Sequence, residues 1–147
     1  MAKNLIFCLV ILFEIVSYAD QVSYQLLQNM YKIYPATGSL KDKSILEANS
    51  KQLEKYFDSN LSRLLSKDIQ CSKKQGVCKL DFDPIYASQD PEIKSIKMID
   101  NQTTIDVSLF YIGQNCPIKI IYFFDKKEGK IHDIKYQDGL RLLKILN

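Results

Sequence analysis

The stretch Asp81-Phe82-Asp83-Pro84-Ile85-Tyr86-Ala87-Ser88-Gln89-Asp90 divides the chain into two kinds of pattern. Before it, apolar residues recur at three- and four-residue spacing, the period of a helix with one buried face. After Pro91 the period drops to two, the signature of a strand with one buried face. Pro84 stops any helix from running through, because its ring fixes φ and removes a donor. The stretch also gathers three acids, Asp81, Asp83 and Asp90, and two aromatics, Phe82 and Tyr86. It is the first place to look for a site.

On the helical side, Asp20 to Tyr34 places Val22, Leu26, Met30 and Ile33 on one stripe, widened by Leu27 and Tyr34. Pro35 and Gly38 end it. Ser44-Ile45-Leu46-Glu47 has capping-box spacing and predicts the start of a second helix, with Leu46, Leu53, Tyr56 and Phe57 buried and a split at Asn49-Ser50. A third helix is predicted from Ser59 to Ile69, burying Leu61, Leu64, Leu65 and Ile69.

On the strand side, Ile93–Ile99 and Thr103–Ile112 read as strands, the second with Ile105, Val107, Leu109 and Tyr111 on one face. Ile118–Phe124 is apolar on both faces except Lys119, so it should be central or covered on both sides. Asp125 to Gly129 is a hairpin turn. Lys130–Tyr136 returns with His132, Ile134 and Tyr136 on one face. Leu140–Leu146 is a short closing helix. Helices segregated from an antiparallel meander define an α+β fold of about four strands. Wrapped round the first helix, such a sheet makes a cone with an opening at one end.

The first nineteen residues read as a signal peptide. Lys3 supplies a positive start, Leu5–Val16 an apolar run broken by Glu14, and Ser17-Tyr18-Ala19 a small-x-small cleavage site. The apolar run is shorter than the roughly 20 residues a membrane span needs. Residues 20–147 are then a single domain, periplasmic or secreted, with no stable membrane span once the signal is removed. Cys71, Cys78 and Cys116 remain after cleavage, and export permits disulfides. Cys71 and Cys78 flank a short polar loop and are the favoured pair. Spacing alone leaves pairings of Cys116 open.

Net charge is +3 across 147 residues, with Lys scattered among Asp and Glu, which gives no footprint for nucleic acid. No nucleophile elbow, P-loop, dinucleotide fingerprint or zinc pattern occurs, so no cofactor and no metal is expected. The candidate pocket or interface residues are Asp83, Tyr86, Asp90, His132 and Tyr136. A carboxylate and an imidazole facing one cavity can do acid–base work. His132 and Asp133 are strand neighbours and point to opposite faces, so His132 would need Asp83, Asp90 or Asp106 from across the sheet. The simpler expectations are a surface or satisfied strand position for His132, and turn capping by Asp83 and Asp90, given the prolines that follow them.

Three segments carry a family resemblance: Tyr31-Lys32-Ile33-Tyr34-Pro35, Asp83 to Asp90, and Lys130 to Leu143. Together they resemble the YbjP/YqhG-like family of small exported bacterial domains, within the nuclear-transport-factor-like, cystatin-like cone superfamily. The resemblance implies an α+β cone and an envelope location, and it implies no reaction. Two features depart from the family's habit: the chain has no Trp and no lipobox. The function expected is therefore non-enzymatic binding of a protein partner in the envelope, as an immunity protein or as an accessory subunit of an envelope complex. The alternative is a small-molecule or acid–base pocket inside the cone, which requires an open interior lined by Tyr.

Overall fold

The structure, a computed structural model, describes residues 21–36 and 44–147. The expected signal peptide lies outside the described residues, as does Cys8.

Helix α1 covers residues 21–33 and buries Leu27, Met30 and Tyr31, and Tyr34, just past its end, is buried as well. The helix is rotated from the expected stripe: Val22 and Ile33 are exposed, at 41% and 51%. Both stripes satisfy a 3.6-residue period. The observed one wins because it turns Tyr31 inward, where its hydroxyl finds a carbonyl partner.

The predicted second helix is broken into two short pieces. Ser44 opens a 3-10 turn over Ile45–Glu47 by accepting a hydrogen bond from the Leu46 N–H at 3.1 Å. The reciprocal capping box forms later, between Asn49 and Gln52, and opens α2, Ser50–Leu53. Ser44 instead donates its hydroxyl to Asp83 at 2.7 Å, which ties this segment to the stretch at 81–90.

Helix α3 runs Ser59–Gln75, six residues beyond the predicted end at Ile69. The cystine loop therefore starts on the helix. Asp58 caps it, accepting from the Leu61 N–H at 2.8 Å, and Leu61, Leu64, Leu65 and Ile69 form the buried face as expected. The Cys71–Cys78 disulfide is present, with Cα atoms 6.0 Å apart. Buried Asp68 reinforces it by accepting from the Lys79 and Leu80 N–H groups at 2.8 and 3.2 Å. Cys116 is free and exposed.

Strands β1 (Ile93–Asp100), β2 (Thr104–Tyr111), β3 (Ile118–Phe124) and β4 (Ile131–Tyr136) form an antiparallel sheet in the order 1-2-3-4. β3 is central, between β2 and β4, as its apolar pattern requires. β2 alternates cleanly, burying Ile105, Val107, Leu109 and Tyr111. Helix α4, Leu142–Leu146, closes the chain and buries Leu142 and Leu146.

β4 departs from simple alternation. Phe123 pairs with Asp133 but Phe124 pairs with Ile131, so His132 is the extra residue of a β-bulge. The bulge buries Ile131 and Asp133 together with Ile134 and Tyr136 and leaves His132 half-exposed. Beside it, residues 56–58 pair with Ile131: its N–H donates to the Tyr56 carbonyl at 2.8 Å, and its carbonyl accepts from the Asp58 N–H at 2.9 Å.

Among the described residues, the space between the helices and the sheet is filled. Leu27, Met30, Phe57, Ile85, Leu109, Ile120, Tyr122 and Ile134 pack with no exposed surface inside one apolar cluster. Side chains that an interior pocket needs as lining are in the core.

Candidate functional site

The stretch at 81–90 is a folded joint whose backbone is held by tyrosines. Asp83 and Ser88 bridge, with the Asp83 N–H donating to the Ser88 carbonyl at 2.8 Å. Inside this turn the Asp83 carboxylate accepts from the Ile85 N–H at 3.0 Å and the Ala87 N–H donates to the Asp83 carbonyl at 2.9 Å. Ala87 takes φ of 53°, in the left-handed region that non-glycine residues rarely adopt. The turn directs three consecutive carbonyls into the protein, where each needs a donor.

Those donors are phenol hydroxyls from four different elements or strands. Tyr136 of β4 donates to the Pro84 carbonyl at 3.1 Å. Tyr31 of α1 donates to the Ile85 carbonyl at 2.9 Å and shares a 2.7 Å bond with the Tyr122 hydroxyl of β3, which itself lies 3.4 Å from the same carbonyl. Tyr111 of β2 donates to the Tyr86 carbonyl. Tyr86 returns the contact, donating to the Tyr34 carbonyl at the end of α1 at 2.6 Å. Edge-on ring contacts between Tyr31 and Tyr86, Tyr31 and Tyr122, and Phe82 and Tyr136 fill the space between these bonds.

Burial holds Tyr31, Tyr122 and Tyr136 well above the ordinary tyrosine pKa, and raises Tyr86 and Tyr111 as well. They are therefore protonated donors at neutral pH. Burial also raises the Asp83 carboxyl, against the opposing hydrogen bonds from Ser44, Ile85 and Ile45.

The outer side of this joint is a groove of about 730 Å³. Its acids are Glu47, Asp81, Asp90 and Glu92 at the exposed rim and Asp83 beneath. Leu46, Val77 and Phe82 add apolar surface, and no described lining residue is basic. The structure thus brings together Asp83, Tyr86 and Asp90 at this groove, with Tyr136 holding it from inside. Tyr86 and Tyr136 are buried at 2% and 7%, and their hydroxyls are consumed by backbone, so they build the site without offering free chemistry.

His132 belongs elsewhere. Its Nδ1 meets the Asp58 carboxylate at 2.6 Å, with the imidazole 45% exposed and Asp58 6%. The candidate partners Asp83, Asp90 and Asp106 are not used, because the bulge swings His132 toward the α3 cap, where it is a half-exposed, satisfied strand residue. Around this pair, Asp125 accepts from the Lys127 and Glu128 N–H groups at 2.8 Å each. Those bonds, Glu128 first, hold the Asp125 carboxyl below its usual range. Glu128 reaches back to α3, where its carboxylate accepts from the Ser59 hydroxyl at 2.6 Å and the Ser59 N–H at 3.2 Å. Sequence reading missed Asp58. Its only local sign was Asp-Ser ahead of an apolar run, which marks a helix cap and nothing more.

Asp133, the neighbour of His132, is buried and structural. It accepts from Arg141 Nε at 2.7 Å and from the Leu143 N–H at 3.0 Å, docking α4 on the sheet. No helix of the described residues is long and apolar enough to cross a membrane. Comparison with protein families, with curated proteins and with solved structures found no match.

Proposed function

We propose that this chain is an exported, non-enzymatic binding domain that docks a basic segment of a protein partner in the groove over Asp81–Glu92. The observation that carries the reading is the groove itself: an acidic rim with apolar patches and no described basic lining, on a chain whose net charge is +3. Acids facing one opening set up a local negative field that steers a cationic partner. The tyrosine-held turn beneath keeps the rim pre-organised, which lowers the ordering cost of binding. The filled interior supports a surface mode of action over a small-molecule pocket.

Export rests on the pattern of Lys3 to Ala19, and the Cys71–Cys78 disulfide is compatible with an oxidising compartment. In that setting an acidic docking groove suits an immunity protein covering a basic site on a toxin, or an accessory subunit seated on a basic patch of an envelope complex. The test is recovery of the partner from native envelope extract with the wild-type domain and with an Asp81→Lys, Asp90→Lys double variant. The proposal expects a partner held by wild type at low salt, released as salt rises, and bound at least about tenfold more weakly by the variant. Equal recovery by both proteins removes the groove as the docking surface.

A further inference from the structure

We propose that Asp58, Asp125 and His132 form a binding site for a divalent transition metal of the zinc class. The three residues come from three elements: the cap of α3, the residue after β3, and the bulge of β4. One ligand-type atom from each lies within 4.8 Å of the other two. Metal bonds of about 2.0–2.1 Å at tetrahedral angles separate neighbouring ligand atoms by roughly 3.3–3.5 Å. The Asp58–His132 contact of 2.6 Å therefore opens by under about 1 Å, and Asp125 closes by about 1.5 Å or less. Side-chain rotation supplies movements of that size.

The surroundings are arranged as outer-shell support. Asp58 Oδ1 is fixed by the Leu61 N–H, and the contact to His132 is made by the other oxygen, Oδ2. Asp125 Oδ1 is fixed by two backbone N–H groups of the hairpin. Carboxylates anchored through one oxygen present the other with little loss of freedom. Asp58 is buried while His132 is half-exposed, so the site has a closed inner side and an open outer one. One imidazole nitrogen with two carboxylate oxygens favours zinc-class ions. Calcium and magnesium prefer oxygen alone and more ligands. Three protein ligands leave a position for water. A bound ion would add a clip between the β3–β4 hairpin and the start of α3, beside the contacts that Glu128 and Ile131 already make there. This site is separate from the acidic groove and stands or falls without it.

The experiment uses tag-free residues 20–147 carrying Cys116→Ser, which removes the exposed thiol as a competing ligand, stripped of metal before use. Calorimetric titration with zinc chloride is expected to give one equivalent bound, with no saturable binding of magnesium chloride. Cobalt chloride is expected to give visible absorption of a low-symmetry nitrogen–oxygen site. Asp125→Asn keeps the backbone acceptor and His132→Gln keeps a polar partner for Asp58, so both leave the fold in place. Each is expected to weaken zinc at least tenfold. Absence of zinc binding, or zinc affinity unchanged within twofold in both variants, overturns the assignment.

Discussion

Removing the hydroxyl of Tyr31 tests the tyrosine-held joint most sharply. Tyr31 donates to the Ile85 carbonyl at 2.9 Å, and Tyr122 stands 3.4 Å from the same carbonyl while bonded to Tyr31 at 2.7 Å. Tyr31→Phe deletes the donor without changing the packed ring. Tyr122 then loses its partner and turns to the vacated carbonyl, so the pair of lost bonds is partly repaid. A buried hydrogen bond contributes about 0.5–1.5 kcal/mol net, and an orphaned buried carbonyl costs about 1–3 kcal/mol. With the repair, Tyr31→Phe should cost about 1 kcal/mol, and Tyr122→Phe about the same. In the double variant nothing replaces either donor, and the cost should reach about 3 kcal/mol, exceeding the sum by about 1 kcal/mol. Urea unfolding of the four proteins, followed by far-UV circular dichroism, gives the cycle directly. Additive costs, with each single change under about 0.3 kcal/mol, would refute the claim that phenols satisfy this turn.

Other consequences follow from the same contacts. The buried tyrosines keep their protons above the ordinary value of 10.0, whereas the unfolded chain releases them there. Their stabilisation is complete below about pH 10 and is lost as pH rises further, so phenolate absorbance should appear in a cooperative step coincident with unfolding. Asp83 has a raised carboxyl pKa, so its contribution favours the fold in acid and is lost as pH rises through the folded value. Asp83→Asn keeps the acceptor for Ile85 and Ser44 and should equal or exceed wild-type stability at pH 7, while Asp83→Ala should cost about 2–3 kcal/mol in the same urea assay. Reducing the Cys71–Cys78 bridge should remove about 2–3 kcal/mol and lower Tm by roughly 10 °C, read by thermal melts with and without reductant.

Much of the architecture was legible in the residue pattern. The β2 alternation from Ile105 to Tyr111, the both-face apolar run of β3 and the break at Pro84 each have a local physical cause, and each stands where expected. What stayed hidden depends on long-range partners. The rotation of α1 is decided by where Tyr31 finds a carbonyl, 54 residues away. The His132–Asp58 pair spans 74 residues and needs a bulge, which no local period announces. Turn capping was expected of both Asp83 and Asp90, and among the described residues only Asp83 makes such a bond, to the Ile85 N–H. Their gathering with Glu47 and Glu92 at one groove was not legible, since Glu47 comes from the helical half of the chain.

The central claim is that the outer side of the 81–92 joint is a docking surface. Site-specific photo-crosslinking in native cells tests it most directly, with the crosslinker placed at exposed Glu92 and, as a control, at exposed Gln70 on α3. The account predicts one discrete adduct from position 92 to a protein contributing a basic segment, and none from position 70. Adducts from position 70 with none from position 92 would contradict it.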